Sequence, residues 1–248
     1  MKKKVLMTND DGIYAPGLQI LRKIIGDRWD TIVVAPDHEQ SAASHALTLN
    51  RPLRVNIIDE KTMAVDGTPT DCVMLSIMGL LENKPDLVIS GINCGANLGD
   101  DVIYSGTVAG AAEAALLGVP SLAVSFVDAS NTDPEWGAEV AIKAAEAVLQ
   151  YSLPRGVFLN VNIPPFTAIT WFEVTVLGNR SYRDVIVKKT DPRGKPYYWI
   201  AGQPDTWHGG ERCDFAAIER GSISVTPLHL DMTAAHVFDD IASWKFNE

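Results

Sequence analysis

The chain has 248 residues, which allows one large α/β domain or one domain with a smaller appendage, and 46% of them are hydrophobic, enough for a sizeable core. Its 21 basic and 31 acidic residues give a formal net charge of −10, which argues against sequence-independent binding to DNA or RNA, because such binding depends on basic surface. Three widely spaced cysteines, Cys72, Cys94 and Cys213, indicate reduced thiols and not a disulfide framework.

The N-terminal stretch indicates a cytoplasmic protein. A short apolar run follows three lysines, but Asn9, Asp10 and Asp11 interrupt it, so it is not the apolar region of a signal peptide. Elsewhere no apolar stretch reaches membrane-spanning length, and we expect no membrane partner.

Short apolar runs alternate with helical patterns over the first two thirds of the chain. The predicted strands are 4–8, 31–36, 53–58, 62–65, 86–90, 121–126 and 157–163, and the predicted helices are 17–25, 70–81, 108–117 and 135–150. Nearly continuous apolar strands that alternate with helices predict a mostly parallel sheet covered on both faces. The fold class is therefore a three-layer α/β/α, Rossmann-like domain.

After about residue 165 the pattern becomes β-rich. We predict β-structure over 172–177 and over 185–200, the latter a hairpin around Asp191-Pro192-Arg193-Gly194, where proline suits the second position of a type I turn. A short helix (215–219), a strand (222–226) and a C-terminal helix (233–244) complete the predicted elements. We expect a catalytic core over 1–165 and a C-terminal extension over 166–248 that does not fold independently.

Polar clusters follow several predicted strands. In open parallel sheets ligands bind beyond the carboxyl ends of the strands, so these clusters are expected to share one edge. They are Asn9 to Gly12, the segment 37–44 with Ser41, the segment 91–99 with Asn93 and Asn97, and Tyr104 to Thr107.

The adjacent carboxylates Asp10 and Asp11 are best explained by a divalent cation between them. Mg²⁺ and Mn²⁺ prefer oxygen ligands, and Asn93 and Ser41 can supply neutral oxygens from neighbouring loops. Without an ion, two ionised carboxylates in one site would raise a pKa. The alternative is a solvated Asn-Asp-Asp-Gly turn, but the position at a strand end favours the cation.

Ser105, Gly106 and Thr107 open an alanine-rich helix and are suited to hold an anion with main-chain N–H groups and the helix dipole. An ordinary helix N-cap is the alternative. The glycine-rich segment 91–99 matches neither G-x-G-x-x-G nor a Walker A loop, so it indicates neither a dinucleotide nor ATP. The five histidines lack metal-ligand spacing, and each is expected to be a surface or hydrogen-bonded residue.

Taken together, the motifs resemble those of the SurE family, the survival protein E nucleotidases, over nearly the whole chain. They are TNDDG (8–12), VVAPDHEQSA (33–42), GTPTDC (67–72), SGINCGANLG (90–99), DDVIYSGTVAG (100–110), NVNIP (160–164), and DPRG with YYWI. The family usually has proline before the second asparagine of the glycine loop, where this chain has Ala96.

The resemblance implies a metal-dependent phosphatase that hydrolyses nucleoside 5′-monophosphates, with 3′-monophosphates and short polyphosphate as further substrates. It places the ligands of one Mg²⁺ or Mn²⁺ ion on Asp10, Asp11, Ser41 and Asn93. Ser105, Gly106 and Thr107 would then hold the phosphoryl oxygens with the help of Asn97, and Asp10 would double as a base. It also implies a homodimer or homotetramer formed by exchange of the C-terminal segment.

Three other functions fit parts of the pattern. A phosphatase with an aspartyl-phosphate intermediate would use Asp10 as its nucleophile, but that class usually shows D-x-D after the first strand. A non-catalytic, receiver-like module also carries an acidic pair there, but it is far shorter than this chain. A metal-tuned nucleotide-binding module without turnover would be distinguished by an assay for phosphate release.

Overall fold

A computed structural model of the chain describes residues 2–165, 171–182, 186–200 and 204–246. The strands are β1 Lys4–Thr8, β2 Asp30–Pro36, β3 Val55–Asp59, β4 Thr62–Val65, β5 Leu87–Cys94, β6 Ser121–Phe126, β7 Val157–Ile163, β8 Phe172–Val174, β9 Asn179–Tyr182, β10 Ile186–Thr190, β11 Pro196–Ile200, β12 Pro204–His208 and β13 Ile223–His229. The α-helices are α1 Pro16–Ile25, α2 Pro69–Leu75, α3 Gly106–Leu116, α4 Pro134–Tyr151, α5 Asp214–Glu219 and α6 Phe238–Ala242.

A nine-stranded sheet forms the centre of the molecule, in the order β3-β4-β2-β1-β5-β6-β7-β13-β8. The six strands from β4 to β7 run parallel, whereas β3 pairs antiparallel with β4, and β13 pairs antiparallel with β7. This confirms the predicted mostly parallel α/β fold.

Helices cover both faces of the sheet, as the nearly continuous apolar strands require. On one face α1 and α4 pack over a core that includes Leu18, Ile89 and Ile142. On the other face α2 and α3 pack side by side over Leu6 and Val88. All residues of α3 except its last are buried, because small side chains let the helix lie close to the sheet.

Two predicted elements of the core differ in detail. Strand β5 runs four residues beyond the predicted end at Ser90, because after an irregularity it pairs again with β6 through Asn93 and Ser125. The predicted helix 70–81 is an α-helix to Leu75, continued by a π-helical turn over Ser76–Leu80. A capping box between Thr68 and Asp71 starts this helix.

The C-terminal part combines confirmed and wrong predictions. Strands β10 and β11 form the predicted hairpin around Asp191, although its predicted first residue, Val185, lies outside the described residues. The strand predicted at 172–177 ends at Val174, and the one predicted at 222–226 extends to His229. An antiparallel pair of β9 and β12 was not predicted. The division of the chain at residue 165 stays a prediction.

The predicted C-terminal helix over 233–244 is wrong in extent. The segment contains a short 3₁₀ turn over Ala235–Val237 and then the five-residue helix α6. The side chains of Phe238, Ile241 and Trp244 are exposed, and a short helix without a packed face has little to stabilise it in water. Within the described residues, no helix is both long enough and apolar enough to span a bilayer.

Candidate active site

The carboxyl ends of β1, β2 and β5 meet the N-terminus of α3 at one open depression. Six of the predicted site residues line it: Asp10, Asp11, Ser41, Asn93, Asn97 and Ser105. The other two, Gly106 and Thr107, lie behind this surface in the first turn of α3, against Asp10. The structure therefore brings the eight predicted site residues together at the carboxyl edge of the sheet.

Asp10 follows β1 directly and is only 5% exposed. The hydroxyl of Thr107 donates a hydrogen bond to Asp10 Oδ1, and the main-chain N–H of Gln40 donates to the Asp10 carbonyl at 2.7 Å. Burial raises the pKa of Asp10, although hydrogen bonds from Thr107 and from main-chain groups oppose the shift. The Thr107 hydroxyl thus holds the Asp10 carboxylate in place, in addition to any contact that it makes with a bound ligand.

Gly106 allows the N-terminus of α3 to approach this carboxylate. A Cβ atom at Gly106 would lie 2.8 Å from Asp10 Cβ and 3.0 Å from Asp10 Oδ2, which is too close for any other residue without a shift of the backbone. Ser105 is the N-cap, and its Oγ accepts a hydrogen bond from the N–H of Val108 at 3.1 Å. The segment is therefore a helix cap whose N–H groups lie beside the acidic pair.

Asp11 is half-buried and accepts a hydrogen bond from the main-chain N–H of Cys94 at 3.3 Å. Burial, together with the negative charge of Asp10, raises the pKa of Asp11 to about 6. Across the described part of the chain, neither Asp10 nor Asp11 forms an ion pair with a basic side chain. Two carboxylates without such a partner are a suitable site for a cation.

Neutral oxygen atoms adjoin the acidic pair on two sides. Ser41 Oγ donates to Glu39 Oε1 at 2.7 Å, so the lone pairs of Oγ stay available to a ligand. Asn93, which lies on β5 and not in the following loop, donates from Nδ2 to the carbonyl of Gly95 at 2.8 Å. Its Oδ1 is therefore the atom free to act as a ligand.

The composition of this group favours a hard cation. Within the described ranges, no three His, Cys, Asp or Glu side chains are grouped so that they could hold a metal ion. A site made from two carboxylates, an amide oxygen and a hydroxyl instead has the ligand chemistry of Mg²⁺ or Mn²⁺. Cys94 lines the depression, but burial and the neighbouring carboxylates raise the pKa of its thiol, which disfavours the thiolate that soft metals bind.

The segment that carries Ser41 is held by contacts at several points. The N–H of Ser44 donates to the Tyr104 carbonyl at 3.0 Å, and Ser44 Oγ donates to the Ile103 carbonyl at 2.7 Å. His45 Nε2 lies 2.8 Å from Oε2 of Glu113, which is buried in α3, so His45 is the hydrogen-bonded residue that the sequence predicts. These contacts connect the Ser41 segment to the turn before α3 and to α3 itself.

Several polar groups at the site were not among the predicted site residues. Glu39 and Asp101 line the depression and add negative charge. Ser125, Asn160 and Asn162 lie beneath it and hydrogen-bond to Asn97. The signal for the last two was the alternation Asn-Val-Asn near the end of an otherwise apolar strand, which is also part of the NVNIP motif.

Known proteins of similar sequence and structure match nearly the whole chain. The family model described as "Survival protein SurE" matches residues 5–184. A protein of Geotalea daltonii named 5′-nucleotidase SurE is 51% identical over 98% of this chain and 99% of its own, and one of Nitrosococcus oceani with the same name is 46% identical over 97% of each. The crystal structure of the SurE protein from Aquifex aeolicus superimposes with a TM-score of 0.85 at 44% identity, covering 96% of this chain and 98% of that one.

Proposed function

Because this chain belongs to the SurE family, we propose that it is a divalent-metal-dependent 5′-nucleotidase that hydrolyses nucleoside 5′-monophosphates to nucleoside and phosphate. The observation that carries the proposal is the pairing of two unneutralised carboxylates, Asp10 and Asp11, with the N-terminus of α3. A phosphate monoester is an anion, so it needs both a cation and N–H donors to bind beside them.

Asp10, Asp11, Ser41 and Asn93 are the proposed ligands of one Mg²⁺ or Mn²⁺ ion. These four side chains fit such an ion. Neither Asp10 nor Asp11 has a basic partner within the described residues, and Ser41 Oγ and Asn93 Oδ1 each remain available to bind a cation. A bound divalent cation would supply Lewis-acid polarisation of a phosphoryl oxygen and a lower pKa for water.

The residues of α3 have a different proposed task. Ser105 lines the depression and is proposed to contact the phosphoryl oxygens directly. Gly106 and Thr107, whose main-chain groups also hydrogen-bond to Asp10, contribute through the positive end of the helix dipole, and the amide of Asn97 assists. Asp10 contacts this N-terminus and is next to Asp11 in the chain, which suits it to accept a proton from the water that attacks phosphorus.

A phosphate-release assay tests the proposal. We expect turnover of a panel of nucleoside 5′-monophosphates with Mg²⁺ or Mn²⁺ and none after exhaustive chelation. Including 3′-monophosphates and short polyphosphate in the panel decides whether the proposed substrate range extends to them. Binding of Mn²⁺ without any phosphate release would instead indicate a nucleotide-binding module without turnover.

Asp11→Asn is the decisive variant. It removes one charge from the proposed ligand set without changing the size of the side chain, so we expect loss of activity and weaker Mn²⁺ binding by calorimetry. The matched control is Glu39→Gln, which removes a carboxylate from the same depression but keeps an acceptor for Ser41. Equal losses in the two variants would mean that the general negative charge matters and not a ligand at Asp11.

The oligomeric state is also part of the proposal. The hairpin strand β11 exposes Tyr198, Trp199 and Ile200, and the C-terminal segment exposes Phe238 and Trp244. An isolated two-stranded hairpin is marginal in water, and exchange of identical segments is a low-cost route to a symmetric oligomer. We therefore expect a homodimer or homotetramer in which the C-terminal segment is exchanged. A cytoplasmic location, expected from the sequence, belongs to the same proposal.

Light scattering tests the assembly. The intact chain is expected to be at least a dimer at micromolar concentration, and a variant in which a short glycine-rich turn replaces residues 185–200 is expected to release monomer. A chain that ends at Leu230 tests the contribution of the C-terminal segment in the same way. A monomeric intact chain would refute this part of the proposal.

A further inference from the structure

Two asparagines on β7 form a buried polar clasp around Asn97. Asn160 and Asn162 are two residues apart, so their side chains lie on the same face of the strand, and both are fully buried. Asn160 Nδ2 and Asn162 Nδ2 donate to the Asn97 carbonyl at 2.8 Å and 2.9 Å, and Asn162 Oδ1 accepts from the Asn97 N–H at 2.9 Å.

The side chain of Asn97 is held as well. Its Nδ2 donates to Ser125 Oγ on β6 at 2.7 Å, which leaves the second amide hydrogen of Nδ2 for another acceptor. Asn97 therefore has its N–H, its carbonyl and its side chain fixed from two neighbouring strands. It lies in a segment without regular structure between Gly95 and Gly99, both of which have positive φ, so local structure alone would not fix it.

We propose that Asn160 and Asn162 are positioning residues for the active site, which hold Asn97 so that its amide meets the substrate phosphoryl group. The inference rests on the proposed function, because it assigns Asn97 to the phosphate. Every hydrogen bond that the two side chains make in the described part of the chain goes to Asn97. The clasp therefore acts on one residue, and that residue lines the depression.

The energetics of the strand also indicate a task other than stability. Asn160 and Asn162 alternate with Val161 and Ile163 in the middle of the sheet, where amides cost free energy unless every polar atom is paired. Asn160 Oδ1 is buried and has no hydrogen-bond partner among the described residues. An apolar residue at 160 would avoid that cost, so stability does not explain the asparagine.

Asn160→Leu distinguishes a role in positioning Asn97 from a role in stabilising the fold. Leucine has a similar size and removes the unpaired oxygen, so we expect the melting temperature to stay equal or rise. At the same time kcat/KM should fall about tenfold, because the Asn97 carbonyl loses one of its two donors. For Asn162→Leu, which removes two hydrogen bonds, we expect about a thirtyfold loss. A purely structural role would instead lower the melting temperature and leave kcat/KM unchanged.

The matched control is Ser224→Ala. Ser224 pairs with Asn162 across β13 and β7 and is fully buried, but its hydroxyl bonds to Thr175 and not to Asn97. We expect wild-type kcat/KM for this variant. A loss equal to that of Asn162→Leu would overturn the inference, since any buried polar group of the sheet would then have the same effect.

A double-mutant cycle tests the route through Asn97. In an Asn97→Ala background, Asn162→Leu should lower kcat/KM by less than twofold, because the group that it positions is already absent. An undiminished thirtyfold loss in that background would overturn the inference. Asn162→Gln keeps an amide at the position, and a partial recovery of kcat/KM relative to Asn162→Leu would support the inference. No recovery, together with additive effects of the Asn97 and Asn162 substitutions, would count against it.

Hydrogen exchange gives a readout that does not depend on turnover. In the ligand-free protein, Asn162→Leu should speed exchange of the Asn97 amide by more than tenfold, with no change in Ser224→Ala. Unchanged exchange would overturn the inference. A wild-type chain that releases no phosphate from any nucleotide would refute the proposed function, and the exchange result would still decide whether the two asparagines hold Asn97.

Discussion

The hydroxyl of Thr107 holds the Asp10 carboxylate, and its removal tests the arrangement of the acidic pair. Thr107 is fully buried, and its Oγ1 donates to Asp10 Oδ1 across 97 positions of sequence. Thr107→Val keeps the shape of the side chain but removes this donor. The hydrogen bond also lowers the pKa of Asp10, so its loss should raise that pKa further and weaken binding of a cation.

The expected size of the effect follows from the type of bond. A hydrogen bond to a charged group contributes about 1.5–3 kcal/mol, which corresponds to about a ten- to hundredfold change in rate or binding constant. We expect kcat/KM for a nucleoside 5′-monophosphate and the Mn²⁺ association constant, measured by calorimetry, to fall by factors in this range. Thr107→Ser keeps the hydroxyl and should lose much less of either.

Thr70→Val is the matched control for this variant. Thr70 is also fully buried near a helix N-terminus, but its Oγ1 has no hydrogen-bond partner among the described residues. The substitution should therefore leave activity unchanged and the free energy of unfolding equal or higher. Wild-type activity and Mn²⁺ affinity in Thr107→Val would refute the reasoning, and would reduce Thr107 to part of a helix cap.

Three further predictions concern the same region. In metal-free protein the pKa of Asp11 is about 6, above its ordinary value of 3.8, so the folded state binds more protons than the unfolded state, and this contribution to stability is lost as pH rises through 6. Relative to Asp11→Asn, the melting temperature of the wild type should therefore fall between pH 4.5 and pH 7. Parallel profiles of melting temperature against pH in the two proteins would contradict this. His45→Ala leaves Glu113 buried without its partner and should lower the free energy of unfolding by about 1–3 kcal/mol in urea titrations, with partial recovery on adding Glu113→Gln. Ala42 has a φ of 58°, so Ala42→Gly should raise the free energy of unfolding by about 0.5–1 kcal/mol, and a decrease would argue against strain at this position.

Local patterns were sufficient for most of the core elements. The apolar runs 121–126 and 157–163 became β6 and β7 with the predicted bounds, because a buried parallel strand is apolar on both faces and polar residues mark its ends. The turn at Asp191 was also readable, since proline and glycine at defined positions favour one turn geometry. The C-terminal helix was mispredicted because helical periodicity without a surface to pack on does not stabilise a helix.

The types of residue that follow the strands were sufficient to predict most of the candidate site. Asp10, Asp11 and Ser41 follow β1 and β2 and reach one edge because those strands are parallel. Asn93 reached the same edge although the end of β5 was misplaced, since pairing with β6 extends the strand past a glycine that reads locally as a loop. Glu39 and Asp101 also line the depression, but their positions depend on how the segments that connect the strands fold back.

By itself, the sequence determined the alternation of strands and helices, and with it the edge of the sheet at which the candidate site lies, because both depend on periodicities within a few residues. Only the tertiary structure decided which groups hold the site residues in place. Thr107 reaches Asp10, Asn162 reaches Asn97 from 65 positions away, and β13 enters the sheet between β7 and β8. Such contacts join segments far apart in the chain. The residues on either side of a buried hydroxyl or amide do not indicate which distant group it will bond to.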